Sequence, residues 1–216
     1  MNVSLTDLHS YFNSLIPKER DAILVELEEY ARQKDFPIVG PLVGGFLKQY
    51  AQLVKAKRIL ELGSGFGYSA IWFSLGAPSA ELICTDTSEK NRSMALSNFS
   101  SMTNHNKHLI GLKSVNFVLG DALETITGLE GLFDIIFCDI DKERYPKAFE
   151  LAIPRLRNGG VLLTDNTIWG GRVLENNPTR ESTKGVQEYN RLAFSDPRVF
   201  STIIPIRDGL TVSVKL

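Results

Sequence analysis

Two short acidic segments carry the densest chemistry in this sequence. Asp139-Ile140-Asp141-Lys142 ends one apolar run, and Asp165-Asn166 ends the next. If those runs are neighbouring strands of a parallel sheet, Asp139, Asp165 and Asn166 converge at its carboxyl edge. Three hard oxygen donors in one place suit Mg²⁺, Mn²⁺ or Ca²⁺, with water and a substrate oxygen completing the shell. Carboxylates brought that close repel one another, and a cation or proton uptake is what relieves them. The competing arrangement has each acid capping a helix or pairing separately with Arg144 or Arg172. Lys142 follows Asp139 closely enough to reach a substrate oxygen on the same cation, where an amine that gives up its proton can act as a base. Without the acidic cluster it would read as a solvated surface lysine.

A second constellation lies upstream, in Glu61-Leu62-Gly63-Ser64-Gly65-Phe66-Gly67-Tyr68-Ser69, directly after an apolar run and opening a helix. Glycines there let the backbone approach a ligand and permit positive φ. A dinucleotide fingerprint would place its third glycine at position 68, which is Tyr68, and the ring removes the close helix–strand approach that a pyrophosphate needs. That counts against a nicotinamide-dependent dehydrogenase. Asp86 closes the next run about twenty residues on, where a carboxylate can accept both hydroxyls of a ribose. Asp86, Thr87 and Ser88 are equally good helix caps. Gly120-Asp121-Ala122 ends the following run and can meet an adenine edge, although Asp121 serves just as well as a plain cap.

The elements that must position these residues follow from periodicity. From Arg58 onward, short apolar runs alternate with helix-length segments, the pattern of a parallel sheet covered on both faces. The runs are Arg58–Leu62, Glu81–Thr85, Val115–Leu119, Phe133–Cys138 and Gly160–Thr164. The segments between them are Ser69–Leu75, Ser88–Thr103, Ala122–Leu129 and Tyr145–Leu156. This predicts a doubly wound α/β domain in which the first five strands take the order 3-2-1-4-5. Val199–Ile206 and Leu210–Leu216 flank Arg207-Asp208-Gly209, a hairpin signal, so one strand must run antiparallel to the rest.

The first roughly 55 residues read as helical, because Ile23, Leu24, Leu27, Tyr30 and Ala31 recur at helical spacing, and Leu42 to Val54 repeats it after a break at Phe36-Pro37. Pro17 suits the first turn of a helix. This segment is expected to pack on the domain or on a dimer partner. Gly170–Lys184 reads as a mobile loop of the kind that forms lids.

With 216 residues, one sizeable core and a single domain are expected. Lys and Arg number 24 against 25 Asp and Glu, so no net positive field gathers nucleic acid or anionic membrane. No apolar run approaches the ~18 residues of a membrane span, and the amino terminus lacks a signal-peptide profile, so a cytoplasmic location is expected. Cys84 and Cys138 read as buried thiols on strands separated by a third, too far apart for a disulfide. His9, His105 and His108 fall outside every cluster and read as surface residues.

Together these residues resemble the cation-dependent class I O-methyltransferase family, the caffeoyl-coenzyme A and catechol enzymes and their bacterial relatives. The resemblance runs from about Pro37 to the end, through Leu60-Glu61-Leu62-Gly63, Gly67-Tyr68-Ser69, Gly120-Asp121-Ala122, Phe133-Asp134, Asp139-Ile140-Asp141-Lys142 with Tyr145, Thr164-Asp165-Asn166, Trp169-Gly170-Gly171 and Asp208-Gly209-Leu210. It implies a Rossmann-like methyltransferase domain with a mostly parallel seven-stranded sheet of order 3-2-1-4-5-7-6. It implies S-adenosylmethionine as methyl donor, its methionine and adenosine parts held by Val39, Glu61, Gly63, Ser64 and Ser69, its ribose by Asp86 and its adenine by Asp121 and Ala122, with Asp139 bordering the donor. It further implies a divalent cation, Mg²⁺ or else Mn²⁺ or Ca²⁺, on Asp139, Asp165 and Asn166, with Asp139 and Lys142 as the catalytic pair. A small-molecule hydroxyl acceptor of phenolic or catechol type is implied, as is a homodimer. A hydroxylated tRNA nucleoside is the alternative acceptor, and near-neutral charge counts against it.

The family often carries a second acid two residues after the ribose carboxylate, where this sequence has Ser88. Its amino-terminal segment and the loop 170–184 also depart from the plant enzymes, which argues against caffeoyl-coenzyme A itself as acceptor.

Overall fold

The apolar runs pair as the alternation requires. In the computed structural model, which describes residues 5–17, 21–105 and 114–216, seven strands form one sheet: β1 (Arg58–Leu62), β2 (Glu81–Asp86), β3 (Ser114–Leu119), β4 (Phe133–Cys138), β5 (Leu156–Thr164), β6 (Val199–Ile204) and β7 (Leu210–Lys215). Their order is β3-β2-β1-β4-β5-β7-β6. The first five are parallel, and β7 runs antiparallel to both β5 and β6. The helices are α1 (Leu5–Ser14), α2 (Ala22–Lys34), α3 (Gly40–Leu53), α4 (Tyr68–Gly76), α5 (Glu89–His105), α6 (Ala122–Gly128), α7 (Tyr145–Arg155) and α8 (Glu181–Ser195).

The period-two alternation of strand side chains sends neighbouring residues to opposite faces, so each face acquires its own core. On one face Ile59, Ile135 and Phe137 pack with Leu24, Leu27, Val43, Leu47 and Phe73 from α2, α3 and α4. On the other, Leu60, Leu62, Ile136 and Cys138 pack with Ile126, Phe149, Val186 and Tyr189 from α6, α7 and α8. The amino-terminal helices α2 and α3 are thus part of the core of this chain. Cys84 and Cys138 are free and buried, and β1 lies between their strands.

Three local expectations need correction. Pro17 does not open a helix: α1 ends at Ser14, and α2 begins at Ala22 with Asp21 as its cap, accepting from Ile23 N. Strand β5 starts at Leu156, four residues earlier than its apolar run, because Leu156 already pairs with Phe133 before the register shifts. The stretch 170–184 is largely structured. A 3-10 segment, Trp169–Leu174, turns through left-handed Gly170 and Gly171, and α8 starts at Glu181. Gln187 Nε2 on α8 donates to Val173 O at 3.1 Å and to Glu175 O at 2.8 Å, which holds this segment down. His108 lies outside the described residues. Among the described residues no helix is long and apolar enough to cross a membrane.

Candidate active site

A cavity of about 690 Å³ opens at the carboxyl ends of β1, β2, β4 and β5. That is where an open α/β sheet parts its crossover helices and exposes strand ends. Both constellations border it, along with the segment before α3 and the turn between β6 and β7.

On the β1 side, Glu61 points to the α4 face and is completely buried. Ser69, on the first turn of α4, donates to its Oε1, while Oε2 has no partner among the described residues. Burial pushes this carboxyl up to about 7, and the Ser69 hydroxyl pulls the other way. Such a group is poised to take a proton or a cationic ligand. Gly63, at φ 86°, runs so close to β4 that a Cβ there would lie 2.3 Å from the backbone oxygen of Asp139. Glycine is required there, and the glycine loop and the acidic edge of β4 are in direct backbone contact. A smaller pocket beside the main one is bordered by Val39, Ser64, Ser69 and again Asp139.

At the end of β2, Asp86 is both bonded into the turn and at the cavity edge. It accepts from Gly65 N at 3.0 Å and from Ser88 N at 2.7 Å, tying the glycine loop to the turn before α5, and it also borders the cavity. Ser88 Oγ accepts from Asn91 N at 3.3 Å, the capping bond that a serine at this position favours. Asp121 does not border that cavity. Its carboxylate caps α6 by accepting from Leu123 N and Glu124 N at 2.9 and 3.1 Å. It also receives two bonds from Arg144, at 2.6 and 2.8 Å, and the guanidinium holds it down at about 2. The side chain is therefore spent on α6 and Arg144, and it is Gly120 and Ala122 that border the cavity.

On the β4–β5 side the three expected oxygen donors meet in one cavity. Adjacent parallel strands in register, Cys138 opposite Thr164, put Asp139 and Asp165 at equivalent positions. Asp165 N donates to Cys138 O at 3.1 Å, and Tyr145 donates to Asp165 O at 2.9 Å. Asp165 is 1% exposed, and its Oδ1 is buried without a partner among the described residues. Burial and then the charge of Asp139 push its carboxyl up to about 7. Asn166 sits in the left-handed region at φ 56°, directs Nδ2 to Asp208 Oδ2 at 3.5 Å and borders the cavity.

Two basic side chains attend the acids. Lys142 Nζ lies 2.8 Å from Asp139 Oδ1, and Arg207 lies 3.7 Å from Asp165 Oδ2. Neither pairs with Asp165 Oδ1, so the buried oxygen still lacks a positive partner. Among the described residues no three His, Cys, Asp or Glu side chains group to hold a metal by themselves, so any cation here would rely on the Asn166 amide as third donor. Arg144 and Arg172, the alternative partners for the acids, are elsewhere: Arg144 is on Asp121, and Arg172 lies over the Trp169 ring at 5.8 Å.

Residues outside the sequence reading complete the walls. Phe36, Pro37 and Ile38 border the cavity ahead of α3, where the sequence shows only a helix break. Arg207 enters from a turn read for its backbone alone. Its backbone holds φ 54°, a value that suits glycine or asparagine and that the sequence does not announce.

The O-methyltransferase family model matches residues 16–216. A catechol O-methyltransferase from Niastella koreensis is 32% identical, with 94% of each chain covered. Among solved structures, an O-methyltransferase from Bacillus cereus in complex with SAH has a TM-score of 0.83 at 28% identity and 97% coverage of both chains. The O-methyltransferase TomG from Streptomyces achromogenes, in complex with SAM, has a TM-score of 0.82 at 27% identity, covering 96% of this chain and 95% of that one. With the sheet order, the glycine loop and the acidic strand ends in place, the chain belongs to the O-methyltransferase family, enzymes that take their methyl group from S-adenosylmethionine.

Proposed function

We propose that this chain methylates a hydroxyl of a small phenolic or catechol-type molecule with the help of a divalent cation on Asp139, Asp165 and Asn166. The observation that carries this reading is Asp165: a nearly inaccessible carboxylate with an unpartnered oxygen, beside a second carboxylate, facing the same cavity as the glycine loop. Leaving such a group uncompensated costs stability, and a hard cation is the partner its donor set fits.

In this reading Val39, Glu61, Gly63, Ser64 and Ser69 hold the donor's amino-acid and nucleoside parts, Asp86 its ribose, and Ala122 its adenine. The bound donor supplies a methyl group on a sulfonium, already a good leaving group, so the chain's principal task is alignment. A bound cation would supply acidity to the acceptor hydroxyl. Lys142 Nζ, 13% exposed and held over the rings of Tyr145 and Trp169 at 5.2 and 5.8 Å, is placed to accept the proton released there. Asp139 keeps Lys142 in position. Phe36 and Trp169 offer apolar walls that suit an aromatic acceptor and exclude water.

The deciding measurement is transfer of labelled methyl from S-adenosylmethionine to catechol, with and without magnesium and excess chelator. Chelation and Asp165→Ala should each reduce turnover to near background. Full turnover under chelation would remove the cation from the reaction.

A further inference from the structure

The turn between β6 and β7 brings into the cavity a cation that the reading above leaves without a task. Arg207 holds φ 54°, a conformation that costs a non-glycine residue on the order of 1 kcal/mol. The turn is pinned from several sides: Ile168 N donates to Asp208 O at 2.8 Å, Gly170 N to Asp208 Oδ1 at 2.5 Å, and Gly209 N to Ile206 O at 2.9 Å. Arg207 N donates to Nε2 of His9 on α1 at 3.1 Å. With its backbone so fixed, the side chain extends across the cavity toward the start of α3, where its Nε would lie 3.9 Å from a Cβ on Gly40.

The charge of this guanidinium is the least compensated in the cavity. Lys142 sits 2.8 Å from Asp139, and Arg144 makes two short bonds to Asp121. Among the described residues Arg207 has only a 3.7 Å approach to Asp165, and its side chain is 42% exposed. If Asp165 takes a cation on its unpartnered Oδ1, as proposed, the ion draws on the same carboxylate and repels the guanidinium, which weakens that approach. The cavity's remaining charged borders, Asp86, Asp141 and Glu143, are acidic. An anionic group on an acceptor would be repelled there and attracted at the hairpin.

We infer that Arg207 is a specificity-determining residue that binds a carboxylate on the acceptor, remote from the hydroxyl that is methylated. The acceptor class is then a small hydroxylated aromatic acid. A guanidinium matches a carboxylate with two parallel N–H bonds, and the strained backbone is retained because it aims that fork into the cavity. The inference rests on the proposed hydroxyl-methylating site but concerns a different part of the acceptor.

The test compares catechol with protocatechuate, the same ring carrying a carboxylate, as acceptors for the wild type, Arg207→Gln and Arg207→Glu with magnesium present. The quantity read is the ratio of kcat/KM for the acid to kcat/KM for the neutral ring. Any effect of the substitution on cation or donor binding is common to both acceptors and cancels in the ratio. Wild type should favour the acid. Arg207→Gln should lower the ratio about tenfold or more, mainly through KM of the acid, and Arg207→Glu should lower it further. Calorimetry of protocatechuate binding to the protein saturated with S-adenosylhomocysteine and magnesium should show the same loss of affinity.

A ratio that does not respond to either substitution overturns the assignment while leaving the methyl-transfer reading intact. So does a variant that loses donor affinity and keeps its preference for the acid. If the wild type methylates neither ring, the acceptor reading falls, and the role of Arg207 falls with it.

Discussion

Lys142 is fixed by its contacts, and Glu61 is changed by its burial. Lys142 donates to Asp139 at 2.8 Å and to Ile140 O at 3.2 Å, so its Nζ is fixed at the mouth of the acidic cluster. As the proposed base it would contribute to the chemical step alone, and Lys142→Ala should lower kcat by about 10²–10⁴ while donor affinity by calorimetry is retained. An unchanged kcat would show that the proton leaves by another route. Glu61 is an acid whose folded value stands at about 7 against an ordinary 4.5, because it is wholly buried. Between those values the native chain keeps a proton that the unfolded chain has released. Its contribution therefore favours folding below about 4.5 and is lost as pH rises through 7. Glu61→Gln should remove that slope, stabilising the ligand-free protein at pH 8 relative to wild type by up to about 3 kcal/mol in urea denaturation. The same substitution should weaken donor binding. Equal pH slopes for the two proteins would contradict the elevated carboxyl.

At the scale of elements, the β1–α4 turn and the β6–β7 hairpin do the positioning, and each depends on backbone that few residues can adopt. Gly63 at φ 86° is pressed against the Asp139 carbonyl, and Gly67 at φ 88° starts α4 beneath Ala95 and Phe117. Gly63→Ala adds strain and a contact that neither β1 nor β4 can relieve, since Asp139 N is itself bonded to Leu62 O. Thermal unfolding should show a loss of about 2 kcal/mol or more, and donor binding should fall together with cation binding, because one backbone contact sets both halves of the site. Retained stability with loss of donor binding alone would show that the two halves are independent. The hairpin acts similarly at the other end. Asp208 ties the Trp169–Leu174 segment and Asn166 to the turn, so the third oxygen donor is oriented by an element that follows it by forty residues of chain.

For the molecule as a whole, the two faces of the sheet are covered, but α1 presents apolar side chains outward. Tyr11 is 59% exposed, Leu8 and Phe12 on the same helix are about 40% exposed, and Leu15 just after its end is 61% exposed. We propose that these side chains are where a second copy binds, the homodimer that the family resemblance implies. Light scattering should give twice the chain mass for the wild type and the single mass for Tyr11→Asp combined with Leu15→Asp. A wild-type monomer at micromolar concentration would end the dimer proposal. His9 links α1 to the backbone of Arg207, so loss of that helix's packing should also be visible as altered acceptor KM.

What the residues determine by themselves is the alternation of apolar runs, and with it the sheet. Period-two patterning against helical spacing admits few topologies, and the Asp-Gly hairpin signal dictates the antiparallel end. The convergence of Asp139, Asp165 and Asn166 was also legible, because neighbouring parallel strands end side by side whatever their loops do. Tertiary structure alone decided the rest, since it depends on contacts between residues far apart in the chain. Asp121 could cap or bind, and the arrival of Arg144 from the turn before α7 settled its side chain on the cap. The stretch 170–184 read as a loop because it is polar, and bonds from α8 and Asp208 gave it structure. Arg207 read as a turn residue, since no local pattern reports that the hairpin will bring it to Asp165 at the end of β5. Strand periodicity is a local property of the chain; which side chain finds a partner across a cavity is a property of the packed whole.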